Sequence, residues 1–275
     1  MLNWLTKNRT TVKGASEALQ SNAVLRVIGD RGSGKTSYMA SLARWPNADP
    51  ASPVQNVTPV NEEGEELIVK AQIILEQGLQ LEANDLEAKV IDVKDYTLSI
   101  ALKGQFSWRN PKASAGSELV TLNISCKDYS GEFFTDLLYQ AGNSQLQEYL
   151  EDCLQATGIM FLIDGTTHRK DSEYANGLDK FLMALDRTDI SAEKRRIALV
   201  MTKCEQPELW IKRHEPRELA AARFPQVNRK LHSWQQMGGG SVDYFTTSAF
   251  GMLGSRYPEP NSKRIKRDRN GTTSV

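Results

Sequence analysis

Eight consecutive residues, Gly29-Asp30-Arg31-Gly32-Ser33-Gly34-Lys35-Thr36, have the types and spacing of a phosphate-binding loop. Its glycines let the backbone wrap an anion and turn successive N–H groups inward. Lys35 is placed to reach the outer phosphates of a nucleoside triphosphate, as the cation that catalysis at those phosphates needs. The Thr36 hydroxyl, followed by Ser37 in the first turn of a helix, is placed to ligate Mg2+.

Such a loop works only between a buried strand and a helix, and both are present. Ala23 to Ile28 is a short, mostly apolar run suited to a buried parallel strand, and Ser37 to Arg44 is helix-forming. Further apolar runs end in polar residues. Tyr96/Leu98/Ile100/Leu102 and Val120/Leu122/Ile124/Cys126 alternate with period two, and the short connection between them permits an antiparallel hairpin. Ile159 to Ile163 is a buried strand ending at Asp164, Ile197 to Met201 another, and Tyr244 to Thr247 a last short one. Helical patterns lie between them at 133–139, 146–154, 174–185 and 217–234, the last interrupted at Pro225. Alternating strands and helices predict an α/β fold of the P-loop NTPase kind. Its sheet is doubly wound and mainly parallel, with one antiparallel edge strand and helices on both faces.

In such sheets ligands sit at the carboxyl ends of strands. Asp128-Tyr129-Ser130-Gly131-Glu132 follows the second hairpin strand; Asp128 is placed to hold Mg2+ through water and Gly131 to offer its N–H to a γ-phosphate. Thr202-Lys203-Cys204-Glu205 follows the strand ending at Met201, where a carboxylate could accept guanine N1–H and N2–H while the Lys203 stem packs along the base. Ser248-Ala249 closes the last strand, where backbone N–H groups could meet guanine O6.

This ordered set resembles the signature loops of the Ras-like and translation-factor class of P-loop GTPases over roughly residues 22 to 252. The Asp-Tyr-Ser-Gly-Glu form and a long insertion are similar to the "double-GTPase" type domains of bacterial conflict and GTPase-associated systems. The resemblance implies GTP/GDP and Mg2+ as ligands, a molecular switch, and a protein effector or regulator as partner. Departures from the class pattern bear on rate and base. Glu132 stands where many relatives have the Gln that orients the attacking water, so slow or partner-assisted hydrolysis is expected. Glu205 stands where the class has Asp, which leaves guanine against adenine open. Arg31 lies where Ras-like proteins have Gly and is expected to point outward. The γ-phosphate-sensing Thr has two candidates, Thr58 in a loop and Thr97 in a strand. Two alternatives remain beside the switch: an ATPase using Asp164 as the acidic residue after its strand, and a non-hydrolysing nucleotide-binding scaffold.

At 275 residues the chain exceeds one nucleotide-binding core without reaching two, so one domain at 22–254 is expected, with a leader at 1–21 and a tail at 255–275. Trp45 to Pro53 is dense in breakers and reads as loop. An acidic insertion occupies about 50–95: from Glu62 to Asp95 ten acidic residues face three lysines, a local charge of −7, with Leu67, Ile68, Ala71, Ile74 and Leu75 at helical spacing. It reads as a solvated helix packed on the sheet or as a partner-binding element. The tail carries six basic against two acidic residues and reads as a disordered linker, with nucleic acid or anionic lipid as the other partners such charge would suit. Lys plus Arg equals Asp plus Glu at 34 each, so global charge selects no polyanionic partner. Three cysteines and three histidines lack ligand spacing and read as structural or surface residues. With no signal-peptide pattern and no long apolar run, a cytoplasmic protein is expected.

Overall fold

The computed structural model describes residues 23–48, 54–77, 95–102, 121–127, 132–140, 142–156, 158–187, 195–249, 266–267 and 273–274. The expectations for the leader, for residues 78–94 of the insertion, for Asp128 and Gly131, and for most of the tail lie outside them.

Seven strands form one sheet in the order β2-β3-β4-β1-β5-β6-β7: β1 Ala23–Ile28, β2 Val54–Pro59, β3 Asp95–Leu102, β4 Thr121–Lys127, β5 Gly158–Asp164, β6 Arg195–Thr202 and β7 Gly240–Thr246. β1 pairs in parallel with β4 and β5, and the parallel run continues through β6 to β7. The one reversed strand is β3, antiparallel to both β4 and β2. Lys266–Arg267 (β8) and Thr273–Ser274 (β9) make a separate two-stranded antiparallel pair within the basic tail.

Because side chains alternate across a strand, neighbouring residues of the central strands feed opposite faces. Ile28, Phe161, Ile163, Leu199 and Met201 build one core, and Val27, Leu162 and Val200 the other. Helices α1 Lys35–Ala48 and α2 Glu62–Gln77 supply the second core with Met39, Ala40, Leu67 and Ala71. The first is completed by α3 Phe133–Tyr139, α4 Ser144–Leu154, α5 Asp171–Arg187, α7 Pro216–Arg223 and α8 Pro225–Gln236, while the short α6 Pro207–Trp210 adds Leu209. A chain of edge and tilted ring contacts, from Tyr149 through Phe133 and Phe181 to Phe161 and from Phe134 to Tyr174, has centroid separations of 5.2–5.8 Å and fixes α3 against β5 and α5. Gly177 permits that approach, since a Cβ there would lie 2.6 Å from the Phe134 carbonyl oxygen.

Two local expectations change. α1 runs through Pro46 to Ala48, so residues 45–48 are helix rather than loop; the proline removes one bond in a last turn that ends two residues later. Residues 54–59, expected in the loop and insertion, form β2, and Thr58 is a strand residue opposite Ser99. A register shift between Val54 and Asn56 breaks the period-two pattern that would have marked this strand. In the insertion, α2 buries Leu67 and Ala71 and packs on α1, β2 and β3, as an amphipathic helix on the sheet. Its start is fixed by Asn61, whose side-chain oxygen accepts the Gly64 N–H at 3.0 Å, with Glu62, Glu63 and Glu65 in the first turn favouring the helix dipole.

Candidate functional site

The loop 29–34 leaves the carboxyl end of β1, the central strand, and enters α1 at Lys35. Gly32 and Gly34 have φ of 77° and 86°, a left-handed backbone that glycine adopts without a Cβ penalty. Gly29 is required sterically: a Cβ there would lie 2.3 Å from the Leu162 carbonyl oxygen on β5. A turn bond from Ser33 N–H to the Asp30 carbonyl, 3.1 Å, and a first helical bond from Tyr38 N–H to the Gly34 carbonyl, 2.8 Å, close the cradle. Lys35 is buried, and its Nζ donates to the carbonyls of Gly29 (2.9 Å) and Asp30 (3.1 Å), so the ammonium lies over the loop. Thr36 and Ser37 are half-buried in the first helical turn, and Arg31 is exposed.

Two long-range contacts hold the loop. On the β6 side the buried Thr202 hydroxyl donates to the Ser33 carbonyl at 2.7 Å, with the Ile163 carbonyl at 3.3 Å. Its hydroxyl thereby ties β6 to the loop. On the other side Asp30, 2% exposed, accepts the Phe134 N–H on Oδ1 at 3.0 Å, while its Oδ2 has no hydrogen-bond partner. Burial pushes the Asp30 carboxyl up to about 6, against the pull of the Phe134 bond and of Lys170. Glu132, just before α3, is exposed and pairs with Lys170 Nζ at 3.0 Å; that bond holds its carboxyl below the usual range. Asp30, Glu132 and Glu173 bring carboxylate oxygens within 4.8 Å of one another. The Lys170 ammonium pairs with Glu132, and the Thr135 hydroxyl lies within hydrogen-bonding reach of both Glu132 and Glu173.

The loops after β6 and β7 are tied by main-chain bonds, Cys204 N–H to the Thr247 carbonyl (3.1 Å) and Thr247 N–H to the Met201 carbonyl (2.8 Å). Glu205 is 3% exposed with an unpartnered Oε2, and Ser248 and Ala249 are half-buried nearby in sequence to that junction. Lys203 takes a φ of 57°, and its Nζ pairs with Asp164 Oδ2 at 2.5 Å. Asp164 also accepts the Thr166 N–H at 2.9 Å and the Thr166 hydroxyl at 2.6 Å on Oδ1. The three cysteines are buried thiols; burial raises the Cys153 thiol to about 12 and the Cys204 thiol to about 11, which removes both as nucleophiles at neutral pH.

The fold thus brings Gly29 to Ser37, Thr202 to Glu205 and Ser248-Ala249 to the carboxyl edge of the sheet, with Glu132 beside the loop. Thr97 lies in β3, its hydroxyl bonded to Asp95 at 3.3 Å, and β2, which carries Thr58, stands three strands from β1, roughly 14 Å at usual strand spacing. In the sequence Asp30 is visible only as a member of the loop. Its one visible signal was an acid inside a loop built for anions. Lys170, Thr135 and Glu173 gave none.

No protein-family model and no curated protein matches the chain. Among solved structures, the signal recognition particle receptor SRb-GTP/SRX complex from Chaetomium thermophilum aligns with a TM-score of 0.44 at 12% identity, covering 85% of this chain and 93% of that one. The ADP-ribosylation-factor-like GTP-binding protein, small COPII coat GTPase SAR1, from Encephalitozoon cuniculi in complex with GDP aligns with a TM-score of 0.39 at 11% identity, covering 85% and 72%. No helix among the described residues is long and apolar enough to cross a membrane.

Proposed function

We propose that the chain is a cytoplasmic nucleotide-binding switch that takes GTP and Mg2+ and hydrolyses GTP slowly or with a partner's help, in a bacterial multi-protein system. The observation that carries this reading is the cradle at the end of β1: left-handed glycines, the Gly29 position no Cβ could share, and the Lys35 ammonium held over the loop's own carbonyls. Phosphate oxygens would replace those carbonyls as acceptors, with backbone N–H groups and the α1 N-terminus beside them. Thr36, with Asp128, would hold Mg2+, which would neutralise phosphate charge.

Glu205 supports guanine. A buried carboxylate oxygen without a donor is costly, and two adjacent N–H groups on a guanine edge would satisfy it. The ATPase alternative is weakened because the Asp164 carboxylate is engaged by Lys203 and Thr166. Slow hydrolysis follows from Glu132, whose charge is drawn toward Lys170. An effector or regulator would read the 128–132 segment and α3.

Displacement of a fluorescent guanine nucleotide tests the base: GTP should compete and ATP should not, and equal competition refutes guanine selectivity. Saturating nucleotide at a hundredfold its Kd stabilises a fold by about 2.7 kcal/mol. Lys35→Ala should abolish that melting shift, whereas an unchanged shift would remove the phosphate-loop assignment.

A further inference from the structure

Asp30 joins three parts of the site. Its carbonyl accepts from Lys35 Nζ at 3.1 Å, its Oδ1 accepts the Phe134 N–H at 3.0 Å, and its Oδ2 faces no donor while the residue is 2% exposed. We propose that Asp30 is a positioning residue that passes phosphate occupancy of the loop to α3, and that it takes one proton from solvent onto Oδ2 as the phosphate binds. The proposal rests on the nucleotide-binding reading and specifies how that site is regulated.

The charges around Asp30 give the direction. Lys35 from α1 and Lys170 from the turn before α5 favour its carboxylate, whereas Glu132 disfavours it. Glu173 on α5 brings a third carboxylate within 4.8 Å, and the Tyr174 hydroxyl interacts from the same helix. A diphosphate on Lys35 carries more negative charge than one Mg2+ offsets, so it adds net negative charge beside Asp30 and cancels the attraction of that ammonium. Both changes favour the neutral acid. Burial already holds the carboxyl near 6, so the added charge moves it toward neutrality within the physiological range. Protonation keeps Oδ1 as an acceptor for Phe134 but weakens the bond, since a neutral acceptor binds an N–H less tightly than a charged one. The α3 anchor therefore loosens as phosphate fills the loop.

Calorimetric titrations with Mg2+-GDP and Mg2+-ADP, each in Pipes and Tris, measure protons taken up on binding, because the two buffers differ in ionisation enthalpy. If bound phosphate raises Asp30 by about one unit, the wild type takes up about half a proton more than Asp30→Asn near pH 6.5. Its affinity then falls about fivefold more than the variant's between pH 6 and pH 8. Glu132→Gln, an exposed change, removes a like charge and frees Lys170, so it should keep the extra uptake and shift its midpoint to lower pH. Binding with identical uptake in wild type and Asp30→Asn overturns the proposal while leaving nucleotide binding intact. Failure of both nucleotides to bind overturns both.

Discussion

Replacing Asp30 with asparagine should make the protein more stable at neutral pH, although it alters the phosphate loop itself. Burial raises this carboxyl from 3.8 to about 6. Between those values the unfolded chain has lost the proton and the folded chain still holds it. Folding then takes up protons, and stability falls as pH rises. The loss is absent below pH 3.8, grows through pH 6 and is complete above it. A difference of about two units corresponds to about 3 kcal/mol, roughly half of it recovered at pH 5. Asparagine does not titrate, keeps an oxygen for the Phe134 N–H, and puts a neutral amide group in place of the unpartnered Oδ2. Urea or thermal unfolding without nucleotide at pH 8, 6.5 and 5 should show Asp30→Asn ahead by about 6–12 °C at pH 8, with the gap about halved at pH 5. A variant less stable at pH 8, or a difference indifferent to pH, would refute the buried-acid reasoning. A destabilising acid in a binding loop fits the general trade of stability for function.

Three other outcomes follow. Thr202→Val keeps the shape but removes the donor to the Ser33 carbonyl, costing about 1–2 kcal/mol, and should weaken GTP and ATP by one common factor; a loss confined to guanine would return Thr202 to a base-reading role. Glu205→Gln should reduce GTP affinity by about tenfold or more with ATP unaffected, read by displacement of a fluorescent guanine nucleotide, and no change would remove Glu205 from the base site. Gly177→Ala places a methyl 2.6 Å from the Phe134 carbonyl and should cost about 1–3 kcal/mol in unfolding experiments, with an unchanged melting point contradicting the α3–α5 contact.

What could be read from the sequence was what repeats locally. β5 and β6 appear as apolar runs, and β1 as one broken only by Arg26, because both their faces are covered, and the phosphate loop appears because glycine spacing is itself the mechanism. β2 was hidden by a register shift that breaks alternation within six residues. The end of α1 was hidden because Pro46 carries the composition of a loop in the last turn of a helix. At the site, the loop's supports were invisible for a different reason. Thr202 meets Ser33 across 169 residues and Asp30 meets Phe134 across 104, and no period or motif encodes a single hydrogen bond at such range. Glu132 shows the same limit: its position suggested a water-orienting role, and only the fold revealed Lys170 as its partner.

The two supports of the loop differ in kind, and the difference decides where a signal can leave it. Thr202 stands on β6, a core strand buried on both faces, and its contact joins two neutral groups, a hydroxyl and a carbonyl. Adding phosphate charge alters such a bond little, so this side acts as a fixed wall. Asp30 is an acid that burial lifts to about 6, and it holds the first turn of α3, directly after the segment that carries Asp128 and Gly131. Charge arriving at Lys35 changes the energy of that contact in proportion to its proximity. A rigid side and a responsive side would make the loop directional: occupancy would be transmitted toward α3 and the Glu132–Lys170 pair, while the edge at β6, where base binding is proposed, would stay fixed.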